Sequence, residues 1–276
     1  MDLPAEVVER PVDRDQRETV ARFPEVSDPD MVAVMPDGRI ALTVLYSDHA
    51  RLMAVAPGKK PVPLVATAEE TSAPVTAVDS HEVAFLLGPR PRTSLGIADL
   101  ETGRVTRRIS PGKGEILSLA AAPDGRSLYF ATVDTVWAVP SIGGEARKVS
   151  AGNRVVADPS GKALLISVLE STNMRLFRVP LDGTPETEVK TNAADAVRYS
   201  YLSPGSVSAD GRLLISLHNT WFSAPAILDT HTGRVHPLPF DGASDYISMA
   251  WLPDGRMVAL RLGENSTLWR FTPASE

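Results

Sequence analysis

The residues able to do covalent chemistry are few and scattered. A serine hydrolase needs Gly-x-Ser-x-Gly at a strand-to-helix elbow. The nearest approach, Gly242-Ala243-Ser244-Asp245-Tyr246, lacks the closing glycine. There is no His-Glu-x-x-His, P-loop or Gly-x-Gly-x-x-Gly. Zero cysteine removes thiolate nucleophiles, disulfides, iron–sulfur clusters and cysteine zinc sites together. The five histidines, His49, His81, His218, His231 and His236, fall in different turns or repeat units, and Asp13 and Asp15 lack the third ligand and glycine of a calcium loop. What remains is recognition chemistry. The chain has 4 Trp, 5 Tyr and 7 Phe, and five of these, Tyr199, Tyr201, Trp221, Phe222 and Tyr246, gather in one stretch with Arg198. Aromatic and arginine side chains on loops are the types that dominate binding hot spots. The competing reading is that Trp221 and Phe222 pack between structural units while the tyrosines cover a long loop.

Composition narrows the partners. Over 276 residues the formal charge is −6, with no block of five or more basic residues. Phosphate neutralisation requires clustered Lys and Arg, so nucleic acid is not the expected partner. No apolar run approaches the ~20 residues of a membrane-spanning helix. Met1 to Arg22 is studded with charge and has no apolar segment of the signal-peptide kind. The compartment stays open.

The elements that must position any site are visible as a repeat. Val32–Arg39 (VAVMPDGR), Leu119–Arg126 (LAAAPDGR), Val155–Lys162 (VVADPSGK), Val207–Arg212 (VSADGR) and Ala250–Arg256 (AWLPDGR) share one grammar: an apolar run, a Pro-Asp-Gly type of turn, a basic residue and a second apolar run. Proline presets φ at the second turn position, Asp bonds local amides, and Gly takes the next, positive-φ position, so Gly38, Gly125, Gly161, Gly211 and Gly255 are expected as backbone requirements. A second hairpin follows, turning at Gly58, Gly103, Gly143-Gly144, Gly183 and Gly233. The unit is a four-stranded meander of about 43 residues, the period of a propeller blade. Six units fill the chain: approximately 25–70, 71–112, 113–151, 152–192, 193–241 and 242–276. The last unit reads as only three strands, the third being Thr267–Thr272. Of the unused strand-like runs, Val7–Val12 and Glu18–Phe23, the second is expected as the outermost strand of that unit, closing the ring and covering its edge. The domain is therefore expected to run over 17–276, with 1–16 as an N-terminal tail.

The Pro-Asp-Gly-(Arg/Lys) turns, together with strands such as Arg175-Leu176-Phe177-Arg178-Val179 and Thr267-Leu268-Trp269-Arg270-Phe271, resemble the TolB-type WD-like β-propeller repeat over about residues 25 to 276. The resemblance implies an all-β, six-bladed propeller, like that of periplasmic TolB, of peptidase-capping propellers and of bacterial sensor modules. Most such modules bind proteins or peptides and catalyse nothing. Two departures stand out: the N-terminal domain of TolB has no counterpart, and the second repeat carries Val78-Asp79-Ser80-His81 in place of its turn motif.

The expected function is thus a non-catalytic, monomeric binding or scaffold module for a protein, a peptide or a small ligand, with no cofactor implied. In a meander blade the interblade loops and the loops between second and third strands emerge on one face. That face is expected to carry Asp48, His49, Arg90, Arg92, Arg198, Tyr199, Tyr201, Trp221, Phe222 and Tyr246. The alternative is a lactonase-type propeller hydrolase or lyase. Such propellers hold a cation in the channel with Glu, Asn and Asp, and here the residues of that kind at inner-strand starts are Asp30, Glu115, Asn153 and Asp245. Acidic and amide residues at strand starts are commonly turn formers.

Overall fold

The structure is a computed structural model that describes residues 5–14, 16–23, 28–46, 49–170, 173–191, 202–217, 223–240 and 244–263. Six antiparallel sheets follow one another, each a meander in which the first strand lies innermost. Blade 1 is Asp28–Val34, Ile40–Leu45, Ala50–Val55 and Val62–Pro63, and blade 2 is Thr71–Ala77, Glu82–Leu87, Ser94–Asp99 and Val105–Ile109. Blade 3 is Ser118–Ala121, Ser127–Ala131, Thr135–Pro140 and Arg147–Ala151, and blade 4 is Arg154–Ala157, Ala163–Glu170, Asn173–Pro180 and Thr187–Glu188. Blade 5 is Arg212–Leu217, Ala224–Asp229 and Val235–Pro237, its inner strand shortened to the bridge Val207↔Leu213. The architecture is the six-bladed, all-β propeller expected from the repeat. Among the described residues no helix is long and apolar enough to cross a membrane.

The repeat turns behave as their chemistry dictates. All five glycines of the first hairpins have positive φ, for example +82° at Gly255. Asp254 accepts the amide of Arg256 at 3.0 Å, locking that turn. In the divergent second repeat no glycine is available, and the carboxylate of Asp79 closes the turn by accepting the amides of His81 (2.7 Å) and Glu82 (2.9 Å).

The core is a ring of six apolar clusters, one in each gap between neighbouring blades. Phe85 of blade 2 packs with Met35 and Leu52 of blade 1, while Phe130 of blade 3 packs with Leu86 and Ile97 of blade 2. This follows from strand periodicity: successive side chains point to opposite faces, so a strand buried on both faces serves two gaps. Buried hydroxyls stitch neighbouring blades. Thr71 Oγ1 accepts the amide of Leu52 (2.9 Å), Ser118 Oγ that of Val155 (3.0 Å) and Ser248 Oγ that of Val32 (2.9 Å), while Ser216 Oγ donates to the carbonyl of Tyr246 (2.7 Å).

Closure differs from expectation in one strand. Blade 6 has the order Glu18–Phe23, Ala5–Arg10, Met257–Gly263, Ser244–Trp251. Glu18–Phe23 is outermost as expected, but the third position belongs to Ala5–Arg10, a segment expected as part of a tail, and Thr267–Thr272 lies outside the described residues. The reason is chemical. Val7 and Val8 are both fully buried, on opposite faces, one in the gap between blades 6 and 1 and the other between blades 5 and 6. Glu6 pairs with Arg261 (3.1 Å) and Arg22 (2.7 Å), and Glu9 pairs with Arg256 (2.8 Å). Arg10, 0% exposed, donates to the carbonyls of Pro239 (2.6 Å) and Arg14 (2.9 Å), fastening the segment to blade 5.

Candidate binding face

In blades 1, 2 and 3 the loops between second and third strands are short, and each is built differently. In blade 1 the amide of Tyr46 donates to the carbonyl of His49 (2.8 Å) and the two rings stack, with centroids 4.9 Å apart. In blade 3, Thr132 Oγ1 donates to the carbonyl of Thr135 (3.1 Å), which lifts Val133 out to 73% exposure. In blade 2 the loop is Gly88-Pro89-Arg90-Pro91-Arg92-Thr93. Two prolines fix φ on either side of Arg90, and the Gly88 amide donates to the carbonyl of Glu70 (2.9 Å), tying the loop to the start of the blade.

Beneath this loop lies a cavity of about 340 Å³, lined by Arg90, Glu69, Arg108, Thr93, Ser94 and Ser110 among others. Arg108 and Glu69 form a two-pronged pair, one prong at 2.7 Å. That contact is the largest influence on Glu69 and holds its carboxyl below the ordinary value, while raising Arg108. The hydroxyls of Ser94 and Ser110 lie 3.0 Å apart. Arg51 reaches under the same segment and donates to the carbonyls of Thr67 (2.7 Å) and Glu69 (2.9 Å). Arg90 is exposed, and among the described residues its guanidinium has neither a hydrogen bond nor an ion pair.

The remaining expected residues divide. His49 and Arg90 lie on this face. Tyr246 does not: it is 0% exposed, inside the apolar cluster between blades 5 and 6. It belongs to the inner strand Ser244–Trp251 and not to a loop, so its ring enters the gap between blades. Arg92 is 8% exposed and belongs to the packed part of its loop. Asp48, Arg198, Tyr199, Tyr201, Trp221 and Phe222 lie outside the described residues. Of the cation candidates, Asp245 accepts the amide of Ser223 at 2.6 Å, Glu115 is exposed and Asn153 is half-buried. The side chain of Asp30 lies outside the described residues. Among the described residues no three His, Asp or Glu side chains are grouped to hold a metal ion.

Two other cavities sit away from this face. Between blades 1 and 2, about 530 Å³ is bordered by Arg39 and Arg51, whose donors are already taken, Arg39 by Asp37 and the carbonyl of Leu100 (2.7 Å). On the opposite face, where the first turns of blades 1, 5 and 6 meet, about 580 Å³ is lined by Met35, Pro36, Val207, Trp251, Leu252 and Arg212 among others. Arg212 lies over the Trp251 ring at 5.0 Å and pairs with Asp210 at 2.8 Å. The position four residues before the turn glycine is Val34, Ala121, Ala157 and Val207 in blades 1, 3, 4 and 5, so Trp251 is a departure from the repeat that is visible in the sequence.

No family model matches the sequence, and no curated protein matches it. Among solved structures, a protein of Agrobacterium tumefaciens described as TolB matches over 96% of this chain and 100% of its own, with a TM-score of 0.74 at 13% identity. The fold is a six-bladed propeller like that of this solved structure. At that identity the likeness concerns the path of the backbone.

Proposed function

We propose that this TolB-type propeller is a non-catalytic binding module that engages a protein or peptide through the face carrying its second-to-third-strand loops. The observation that carries the reading is Arg90. Among the described residues it is a guanidinium without a partner, on a loop set by two prolines at the rim of a cavity, while most of the other described arginines are committed to carboxylates and carbonyls. An exposed charge held in place while unpaired supplies no stability to the ring, and it supplies a ready donor to a ligand. Val133 at 73% and Tyr46 at 41% exposure add apolar surface to the same side, so the face combines an arginine with apolar contacts, as binding surfaces do. A sensor role in a bacterial envelope or signalling protein is consistent with a module of this kind.

The test is selection of peptides from a random displayed library on the intact chain, followed by measured affinities on surface variants. Peptides should emerge whose binding falls at least tenfold with Val133→Arg or Tyr46→Ala. Ile142→Arg, at a site 84% exposed on the opposite face, should leave it unchanged. Peptides that ignore the two loop-face variants and are lost with Ile142→Arg would overturn the assignment of the face.

A further inference from the structure

We infer that the cavity beneath the Gly88–Thr93 loop binds the carboxylate of an acidic peptide segment, Arg90 being the anchoring residue. This rests on the reading of the loop face as the binding surface and names the chemistry that the face selects.

Two guanidinium groups line the cavity, those of Arg108 and Arg90. Arg108 is engaged by Glu69. Arg90 has no partner among the described residues. Against them stands the carboxylate of Glu69. Two positive charges and one negative charge leave one positive charge uncompensated, in a chain whose overall balance is −6. A single carboxylate restores neutrality. A phosphate dianion would overcompensate and would meet Glu69 at close range, where like charges repel.

The donors suit the same ligand. A guanidinium presents parallel N–H groups that match the two oxygens of a carboxylate. The hydroxyls of Ser94 and Ser110 share only one hydrogen bond between them, so at least one O–H remains to be donated to an incoming oxygen. The loop is set in advance, since Pro89 and Pro91 restrict the backbone on both sides of Arg90, which lowers the ordering cost of binding. A cavity of about 340 Å³ is at the small end of ligand sites, which run from roughly 300 to 1,000 Å³. It suits one acidic side chain with its adjoining backbone better than a cofactor.

The experiment is isothermal titration calorimetry of the whole chain at low ionic strength with three probes: acetylated hexaglutamate, acetylated hexaglutamine and inorganic phosphate. Hexaglutamate should bind at one site, hexaglutamine should give no saturable heat, and phosphate should bind at least tenfold more weakly than hexaglutamate. Arg90→Gln should weaken hexaglutamate about tenfold or more, the scale of one lost charge-assisted contact. Its melting temperature should not change, because the side chain bonds to nothing among the described residues. Arg104→Gln, at an exposed arginine in a turn on the opposite face, should bind as wild type. The inference is overturned if hexaglutamate fails to bind, if phosphate binds as tightly, or if the two variants lose equally, which would mean attraction to charge in general. Any of these results leaves the loop-face reading standing on its own variants, Val133→Arg and Tyr46→Ala. Conversely, hexaglutamate binding that needs Arg90 while selected peptides ignore Val133 and Tyr46 would keep the carboxylate site and reject the wider face.

Discussion

Arg178 joins two blades through a chain of three contacts. Its guanidinium meets the Asp158 carboxylate at 2.5 Å and donates to Thr230 Oγ1 (2.8 Å), whose hydroxyl donates to the carbonyl of Gly211 (2.8 Å). Burial acts to raise the pKa of Asp158, and the hydrogen bonds from Ser160 and Arg178 together with the Arg178 charge outweigh it, leaving the group below its ordinary 3.8. An acid whose pKa is lower folded than unfolded stabilises the fold fully above the unfolded value, and this stabilisation is lost as pH falls through the folded value. Asp158→Asn should therefore cost about 2 kcal/mol at neutral pH, seen as a melting temperature several degrees below wild type. The gap should close as pH drops below 3.8, and a gap independent of pH would contradict the linkage. Residue-scale legibility was uneven. Arg90 and His49 could be placed from sequence because loop positions follow the turn grammar. Tyr246 could not, because whether a residue at a strand start faces a gap or solvent depends on a boundary of one residue, and side chains alternate with a period of two.

At the scale of elements, the hairpin turns were the most legible feature, because Pro, Asp and Gly act through local backbone chemistry that the rest of the chain need not supply. What each turn touches was not legible. Gly58 and Gly233 occupy the same kind of second-hairpin turn, with φ of +69° and +73°. A Cβ at Gly58 would meet nothing within 4 Å, whereas at Gly233 it would lie 1.9 Å from the carbonyl oxygen of Lys190 in the preceding blade. Gly58→Ala should then carry only the left-handed backbone penalty, about 1 kcal/mol. Gly233→Ala must also displace backbone, and should cost about 3 kcal/mol or more. Denaturant midpoints measured side by side would check the difference, and equal losses would mean that the close approach between blades 4 and 5 has no energetic weight.

For the whole molecule, closure is the step that makes six open sheets into one ring. The strands Ala5–Arg10 and Glu18–Phe23 supply half of blade 6, burying Val7, Val8, Val20 and Phe23. At roughly 1.5 to 3 kcal/mol for each large apolar side chain, four of them approach the 5 to 15 kcal/mol net stability of an ordinary domain. Removing residues 1–24 should abolish the cooperative thermal transition or lower it by many degrees in circular dichroism. An unchanged melt would contradict closure by these strands. The loss should be global, because every blade leans on two neighbours and blade 6 touches both blade 5 and blade 1.

The sequence by itself determined the repeat, the hairpins, the number of blades and the need for an N-terminal strand, since these rest on local turn chemistry and on a period that can be counted along the chain. Tertiary structure alone decided that two N-terminal strands complete blade 6 and that Tyr246 is core. It also decided that Arg51, Arg90 and Arg108 share a neighbourhood with Glu69 and Glu70, and that Trp251 meets residues of blades 1 and 5. Each of these depends on which segments become neighbours when the ring closes, and no local rule encodes contacts between residues so far apart in the chain.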